Sequence, residues 1–95
     1  MASPTTNSYD EVPYEAAAPL PQTHPDHLAT IGRLFGMNSP PVGQCRVLEL
    51  GCADGSNLIP MAIELPNSTL LGIDLSEREV SEGQQTFARL GLSNV

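Results

Sequence analysis

The chain has 95 residues, a net charge of −7 and no lysine, leaving Arg33, Arg46, Arg78 and Arg89 as its permanent cations. This length admits at most one small domain. With two Phe, two Tyr and no Trp, any core is aliphatic and modest. The absence of a basic patch makes the segment a poor electrostatic partner for nucleic acid or an anionic membrane. No basic region and apolar run precede Pro13, as a signal peptide requires. No stretch approaches the ~18 apolar residues of a membrane span. Cys45 and Cys52 flank a segment that reads as a strand, which holds them beyond the Cα separation of roughly 4.4–6.8 Å that a disulfide tolerates. Two reduced thiols in a cytoplasmic protein are therefore expected. Two cysteines and two distant histidines give no metal-ligand spacing, so no metal is expected.

Residues 1–22 hold Pro4, Pro13, Pro19 and Pro21 among Ser, Thr, Asn and Ala, with no hydrophobic period. Their composition suits a flexible arm. The second reading is a lid, since Tyr9, Asp10 and Tyr14 are residue types that could fold over a pocket. A helix is expected over about 24–35. Pro25 suits its first turn, with His24 or Thr23 before it and Asp26 near the positive end of the dipole. Leu28, Ile31, Leu34 and Phe35 form one apolar stripe, and Gly36 provides the stop. His24 and His27 are expected on the exposed start of this helix.

After the loop "NSPPVGQC", the segment "RVLEL" reads as a short buried strand. Asn57 can cap the next helix, which tolerates Pro60 in its first turn and runs to about Leu65. "TLLGID", residues 69–74, reads as a second strand. Ser76 to Glu79 form an S-x-x-E capping box, and the helix they open runs to about Leu90, where Gly91 gives a left-handed stop. "SNV" looks like the approach to a third strand. The order helix, then β-α-β-α, predicts an α/β fold with parallel strands and right-handed crossovers.

The glycine-rich turn "GCADGSN" follows the carboxyl end of the first strand, and Asp74 ends the second. In a parallel sheet both loops can face one ligand crevice. Small residues allow a close backbone approach, and N–H groups at the next helix start are expected to be free donors. A phosphate-binding loop needs a lysine, which the chain lacks. The dinucleotide fingerprint G-x-G-x-x-G, counted from Gly51, places Ala53 and Ser56 at its second and third glycines. A third pattern is an acid followed by G-x-G-x-G, here Glu49-Leu50-Gly51-Cys52-Ala53-Asp54-Gly55, with Ala53 for the middle glycine. A fourth reading is a turn whose glycines serve geometry alone. Asp74 lies nineteen residues after Gly55, near the spacing of about 20 at which an acid meets a ribose in dinucleotide sites. A carboxylate can accept from both ribose hydroxyls, and Leu75 offers an apolar face to a purine. Asp74 can also stabilise the helix dipole beside Ser76.

At "VLELGCADGSNLIPMA" and "LLGIDLS" the chain resembles class I S-adenosylmethionine (SAM)-dependent methyltransferases. The longer pattern "SYDEVPY", "PQTHPDHLATIGRLFGM" and "GCADGSNLIPMA" is similar to a bacterial subgroup with a methyltransferase regulatory domain and protein-lysine methyltransferase-like members. The resemblance covers about residues 8–95. It implies the Rossmann-like three-layer sandwich of that class, here incomplete, with residues 23–95 as the N-terminal half of the cofactor domain. It implies SAM as the cofactor and methyl transfer to an acceptor, with a protein side chain as the acceptor that the subgroup suggests. It places Gly51, Cys52, Ala53, Gly55 and Asn57 at the methionine part of SAM and Asp74 with Leu75 at the nucleoside, and the acidic neighbourhood of Glu49 suits the positive end of that cofactor by charge. Tyr9, Tyr14 and Gln22 are lid candidates by the same analogy. The class builds seven strands, so the chain is expected to be the N-terminal piece of a longer enzyme, inactive alone, with its catalytic residues unassigned. An NAD(P)-binding oxidoreductase segment and a non-catalytic interaction module remain the alternatives.

Overall fold

The computed structural model describes residues 18–95. The expected arm or lid at residues 1–17, with Tyr9, Asp10 and Tyr14, lies outside the described residues. Helix α1 spans Pro25–Leu34, strand β1 Arg46–Leu50, helix α2 Leu58–Glu64, strand β2 Thr69–Ile73 and helix α3 Glu77–Arg89. The two strands are parallel, with Arg46 opposite Thr69 and Leu50 opposite Ile73. The β-α-β-α order read from the periodicity is thus the observed one, and every predicted boundary falls within two residues.

Local chemistry explains the helix ends. His24 Nδ1 accepts the Asp26 N–H at 3.1 Å, and Pro25 follows in the first turn, where its missing N–H costs nothing. Gly36 and Gly91 both adopt left-handed backbone, with φ of 86° and 68°. After α1 the Met37 N–H bonds Gly32 O and the Gly36 N–H bonds Arg33 O. After α3 the Leu92 N–H bonds Phe87 O and the Gly91 N–H bonds Ala88 O. This paired pattern closes a helix through a left-handed residue.

The core lies on one face of the strand pair. Leu58, Met61 and Ala62 of α2 pack against Leu70 of β2 and Cys52, and Val47, Leu92 and Val95 add to the cluster. The expectation of a fully buried "RVLEL" is corrected: Leu48 and Leu50, with Leu71 and Ile73 beside them, are exposed. Alternation explains it, because Val47 and Glu49 face the helices whereas Leu48 and Leu50 face the other way. No described element covers that second face. The stripe Leu28, Ile31, Leu34 and Phe35 of α1 is exposed as well.

"SNV" runs beside the outer edge of β2 without forming a strand, and the described sheet keeps two strands. Asn94 O accepts the Leu70 N–H at 2.7 Å, and Asn94 Nδ2 donates to Ala62 O and Leu65 O at the end of α2. Cys45 and Cys52 are both free thiols. Among the described residues no helix is long and apolar enough to cross a membrane, and no group of His, Cys, Asp and Glu could hold a metal ion.

Candidate functional site

The glycine turn leaves β1 through a run of left-handed backbone: Gly51 at φ 73°, Ala53 at 49° and Gly55 at 80°. The Gly51 and Cys52 N–H groups both bond Ile73 O, which ties the turn to the end of β2. Ala53 pays a steric penalty that glycine would not. Ala53→Gly relieves about 1–2 kcal/mol of strain against roughly 0.4–1 kcal/mol of added chain entropy. The expected outcome is a stabilisation of up to about 1 kcal/mol, read by urea denaturation.

Asp74 organises the turn. Its Oδ2 accepts the Ala53 N–H and its Oδ1 the Ser76 N–H, each at 2.9 Å. One carboxylate therefore clamps the glycine turn to the first residues before α3. This also changes the capping box. Ser76 Oγ accepts the Glu79 N–H at 3.2 Å as expected, but Asp74 occupies the Ser76 N–H that Glu79 would bond in return.

The clamp borders a cavity of about 530 Å³ lined by Leu50, Gly51, Ala53, Ile73, Asp74, Leu75, Ser76 and Glu79. It lies at the carboxyl ends of both strands, where parallel sheets bind ligands. Its size falls in the range of small-molecule sites. Leu50, Ile73 and Leu75 supply an apolar side, Asp74 and Glu79 an acidic one. Among the described residues no Lys or Arg lines it.

Of the residues singled out in the sequence, Gly51, Ala53, Asp74 and Leu75 meet at this cavity. Cys52 does not present its thiol there. Its side chain belongs to the core, and a Cβ at Gly72 would lie 2.6 Å from its Sγ. Burial first, then the charges of Asp74, Glu49 and Asp54, push the Cys52 thiol up, against a smaller opposing effect of a backbone hydrogen bond. Gly55 is buried against Phe87, whose ring carbon would stand 2.6 Å from an added Cβ.

Glu49 and Asn57 pair with each other. Asn57 Nδ2 donates to Glu49 Oε2 at 3.0 Å and to Thr23 Oγ1 at 2.9 Å, and its Oδ1 accepts the Leu20 N–H at 2.7 Å. Asn57 occupies the N-cap position of α2, but its side chain makes no capping bond, which corrects the expected role. It instead joins the segment before α1 to β1. Asn57→Ala removes three hydrogen bonds, at about 0.5–1.5 kcal/mol each. A loss of roughly 2–3 kcal/mol of stability is expected by denaturant titration, and a loss below 0.5 kcal/mol would contradict the hub role.

The expected free N–H groups are fewer than the sequence implied. Those of Gly51, Cys52, Ala53, Gly55, Ser56 and Leu58 all have acceptors. His24 is not simply on the exposed start: its Nε2 lies 2.9 Å from Glu64 Oε2 on α2, whereas His27 is exposed. The residue that sequence reasoning missed is Glu79. It is only 8% exposed and lines the cavity. Burial first, then the neighbouring Glu82 and Asp54, and to a lesser extent Asp74, raise its carboxyl above the ordinary range, with Arg78 opposing. The available signal was Asp74 two residues before Ser76, a rival acceptor for the same N–H.

Comparison with known proteins agrees with this geometry. The family described as "Methyltransferase domain" matches residues 42–95, more than half of the chain. The chain is 48% identical over 89 residues to an uncharacterized protein of Rickettsia prowazekii (strain Madrid E), covering 94% of this chain and 16% of that protein. It is 31% identical over 74 residues to a tRNA (guanine-N(7)-)-methyltransferase of Chloroflexus aggregans, covering 76% of this chain and 31% of that enzyme. Among solved structures, PKMT2 from Rickettsia typhi in complex with AdoHcy superposes with a TM-score of 0.79 at 38% identity, covering 87% of this chain and 16% of that one. The chain thus spans a minor part of each of these proteins. The matched family, the superposition and the parallel β-α-β-α order place the chain in the class I SAM-dependent methyltransferase family, with a partial Rossmann-like fold.

Proposed function

We propose that this chain is the cofactor-binding segment of an enzyme that transfers a methyl group from SAM to a protein. The observation that carries the reading is the Asp74 clamp, which holds the glycine turn beside a cavity with one apolar and one acidic side. The residues present fit the cofactor. A Cβ at Gly51 would meet nothing within 4 Å, so a ligand has room against that backbone. The acidic side suits a ligand rich in donors and carrying positive charge, and it opposes a pyrophosphate, which finds no cation there. SAM, when bound, supplies an electrophilic methyl group on a sulfonium.

In this reading Asp74 holds the ribose and Leu75 packs on the purine. Gly51, Cys52, Ala53, Gly55 and Asn57 form the surface for the methionine part, Cys52 through its backbone and Asn57 by fixing Glu49. Residues 1–22 serve as an arm or lid, and 23–95 form the first half of the cofactor domain. The likeness to PKMT2 supports a protein acceptor, and the net charge of −7 favours it over tRNA. Calorimetric titration of the intact protein with S-adenosylhomocysteine (AdoHcy) and with NAD tests the proposal. Binding of AdoHcy without NAD is expected. NAD binding without AdoHcy would replace the reading with an oxidoreductase, and binding of neither would leave an interaction module.

A further inference from the structure

Asn57 commits its whole side chain to partners outside its own helix. It leaves the start of α2 without a side-chain cap and bonds instead to residues 8, 34 and 37 positions away. Glu49 precedes the glycine turn and Asn57 follows it, so their bond closes the base of the loop whose Gly51 and Ala53 line the cavity. Asp74 holds the middle of the same loop through the Ala53 N–H. The hold at the base differs from the hold at the middle, because it depends on the segment before α1. The Leu20 N–H and Thr23 Oγ1 orient the Asn57 amide, and Thr23 Oγ1 in turn donates to Leu20 O at 2.8 Å. Without them the amide and the Glu49 carboxylate each regain rotamer freedom, which a ligand at the turn would have to remove.

The same segment has a second fastening, His24 Nε2 to Glu64 Oε2 at 2.9 Å. Seven residues of α2 separate Glu64 from Asn57, about 10 Å of helix rise. That fastening therefore lies at the far end of α2 from the glycine turn. One fastening can respond to the crevice, and the other anchors the segment away from it.

We propose that Asn57 is a positioning residue that couples the segment before α1 to the crevice. With residues 20–23 fastened, the base of the glycine loop and the Glu49 carboxylate are fixed, and a ligand in the crevice holds the segment fastened in return. The return effect is required, because coupling between two binding events is reciprocal. The inference rests on the reading of the crevice as a cofactor site.

The test is calorimetry on the intact protein with AdoHcy, using wild type, Thr23→Val, Thr23→Ser, Glu64→Ala, Asn57→Ala and the double variant Thr23→Val with Asn57→Ala. Melting confirms that each is folded, and hydrogen exchange follows the Leu20 amide with and without AdoHcy. Thr23→Val removes one hydroxyl at nearly constant volume and should weaken AdoHcy about threefold to tenfold, the effect of one hydrogen bond. Thr23→Ser keeps the hydroxyl and should restore wild-type affinity. Adding Thr23→Val to Asn57→Ala should cost no further affinity, because the two act through one fastening. Glu64→Ala should change affinity by no more than about twofold, as loss of an exposed pair remote from the turn. AdoHcy should slow exchange of the Leu20 amide in wild type by a factor of the same order as the Thr23→Val loss, and not in Asn57→Ala. Unchanged affinity in folded Thr23→Val, or Leu20 exchange that ignores AdoHcy, would overturn the coupling and leave the cofactor reading intact. An equal loss in Glu64→Ala would assign the effect to the stability of the segment at large and overturn it as well. A wild type that binds no AdoHcy would remove the cofactor reading and the coupling together.

Discussion

Asp74→Ala is expected to abolish measurable AdoHcy binding and to destabilise the protein by about 2 kcal/mol, the cost of leaving two N–H groups without acceptors. The two losses share one origin. The Asp74 carboxylate is the acceptor for both Ala53 and Ser76, so its removal releases the glycine turn from the start of α3. A ligand then loses a charged acceptor, and it must also order a loop that was previously set. A fall in affinity of at least about a hundredfold follows from two charge-assisted bonds. Asp74→Asn separates the contributions. Its amide offers one accepting oxygen, so one of the two backbone bonds is lost and stability should fall by about half as much. Unchanged AdoHcy affinity in Asp74→Ala, with a folded protein, would remove Asp74 from the site.

Gly83→Ala is expected to destabilise the chain although alanine is the better helix former. Gly83 is buried in α3, and an added Cβ would lie 2.6 Å from the Asp54 carbonyl oxygen. Helix propensity favours alanine by about 1 kcal/mol. Overpacking costs about 1–3 kcal/mol, and the obstacle here is backbone, which cannot rotate away as a side chain could. The clash should therefore win by about 1 kcal/mol, lowering Tm by roughly 4–8 °C for a domain of this size. It should also weaken AdoHcy about tenfold, because α3 can only retreat by moving Glu79 and the clamped turn. Gln84→Ala at the neighbouring exposed position serves as the control and should leave both readings unchanged. A higher Tm for Gly83→Ala would show that the turn yields readily, and the claim of a rigid crevice would fail with it.

Acid–base behaviour points the same way. The raised Glu79 carboxyl binds its proton more tightly in the folded protein than in the unfolded chain. Its contribution to stability is therefore full below the unfolded carboxylate range and is lost as pH rises through the raised folded value. Glu79→Gln should gain on wild type across that window and keep the gain at neutral pH, measured as the difference in Tm between the two proteins over a pH series.

The element order and the place of the crevice were legible in the sequence because they depend on short-range chemistry. Gly36 and Gly91 end their helices through left-handed backbone, and the strand-turn-helix run from Arg46 needs only a hydrophobic stretch and flexible residues. Gly51, Ala53 and Asp74 were identifiable because a turn at a strand end and an acid at the next strand end share one edge of a parallel sheet. What the sequence concealed depends on competition between partners far apart in the chain. Asn57 looked like a helix cap, but Glu49, Thr23 and Leu20 claim its side chain. Glu79 looked like half of a capping box until Asp74 took the other half. Cys52 sits inside the glycine motif, yet Gly72 across the strand makes the space that draws its thiol into the core. The burial of "RVLEL" was misjudged for a different reason. A run of apolar residues does not reveal how many of its faces will be covered.

The most direct test of the account is a crystal structure of the intact protein with AdoHcy. The nucleoside is expected at the carboxyl ends of β1 and β2, with its ribose hydroxyls within hydrogen-bond distance of Asp74, its purine on Leu75 and Gly51 against the rest of the ligand. AdoHcy bound elsewhere, with the Asp74 crevice left to solvent, would contradict it.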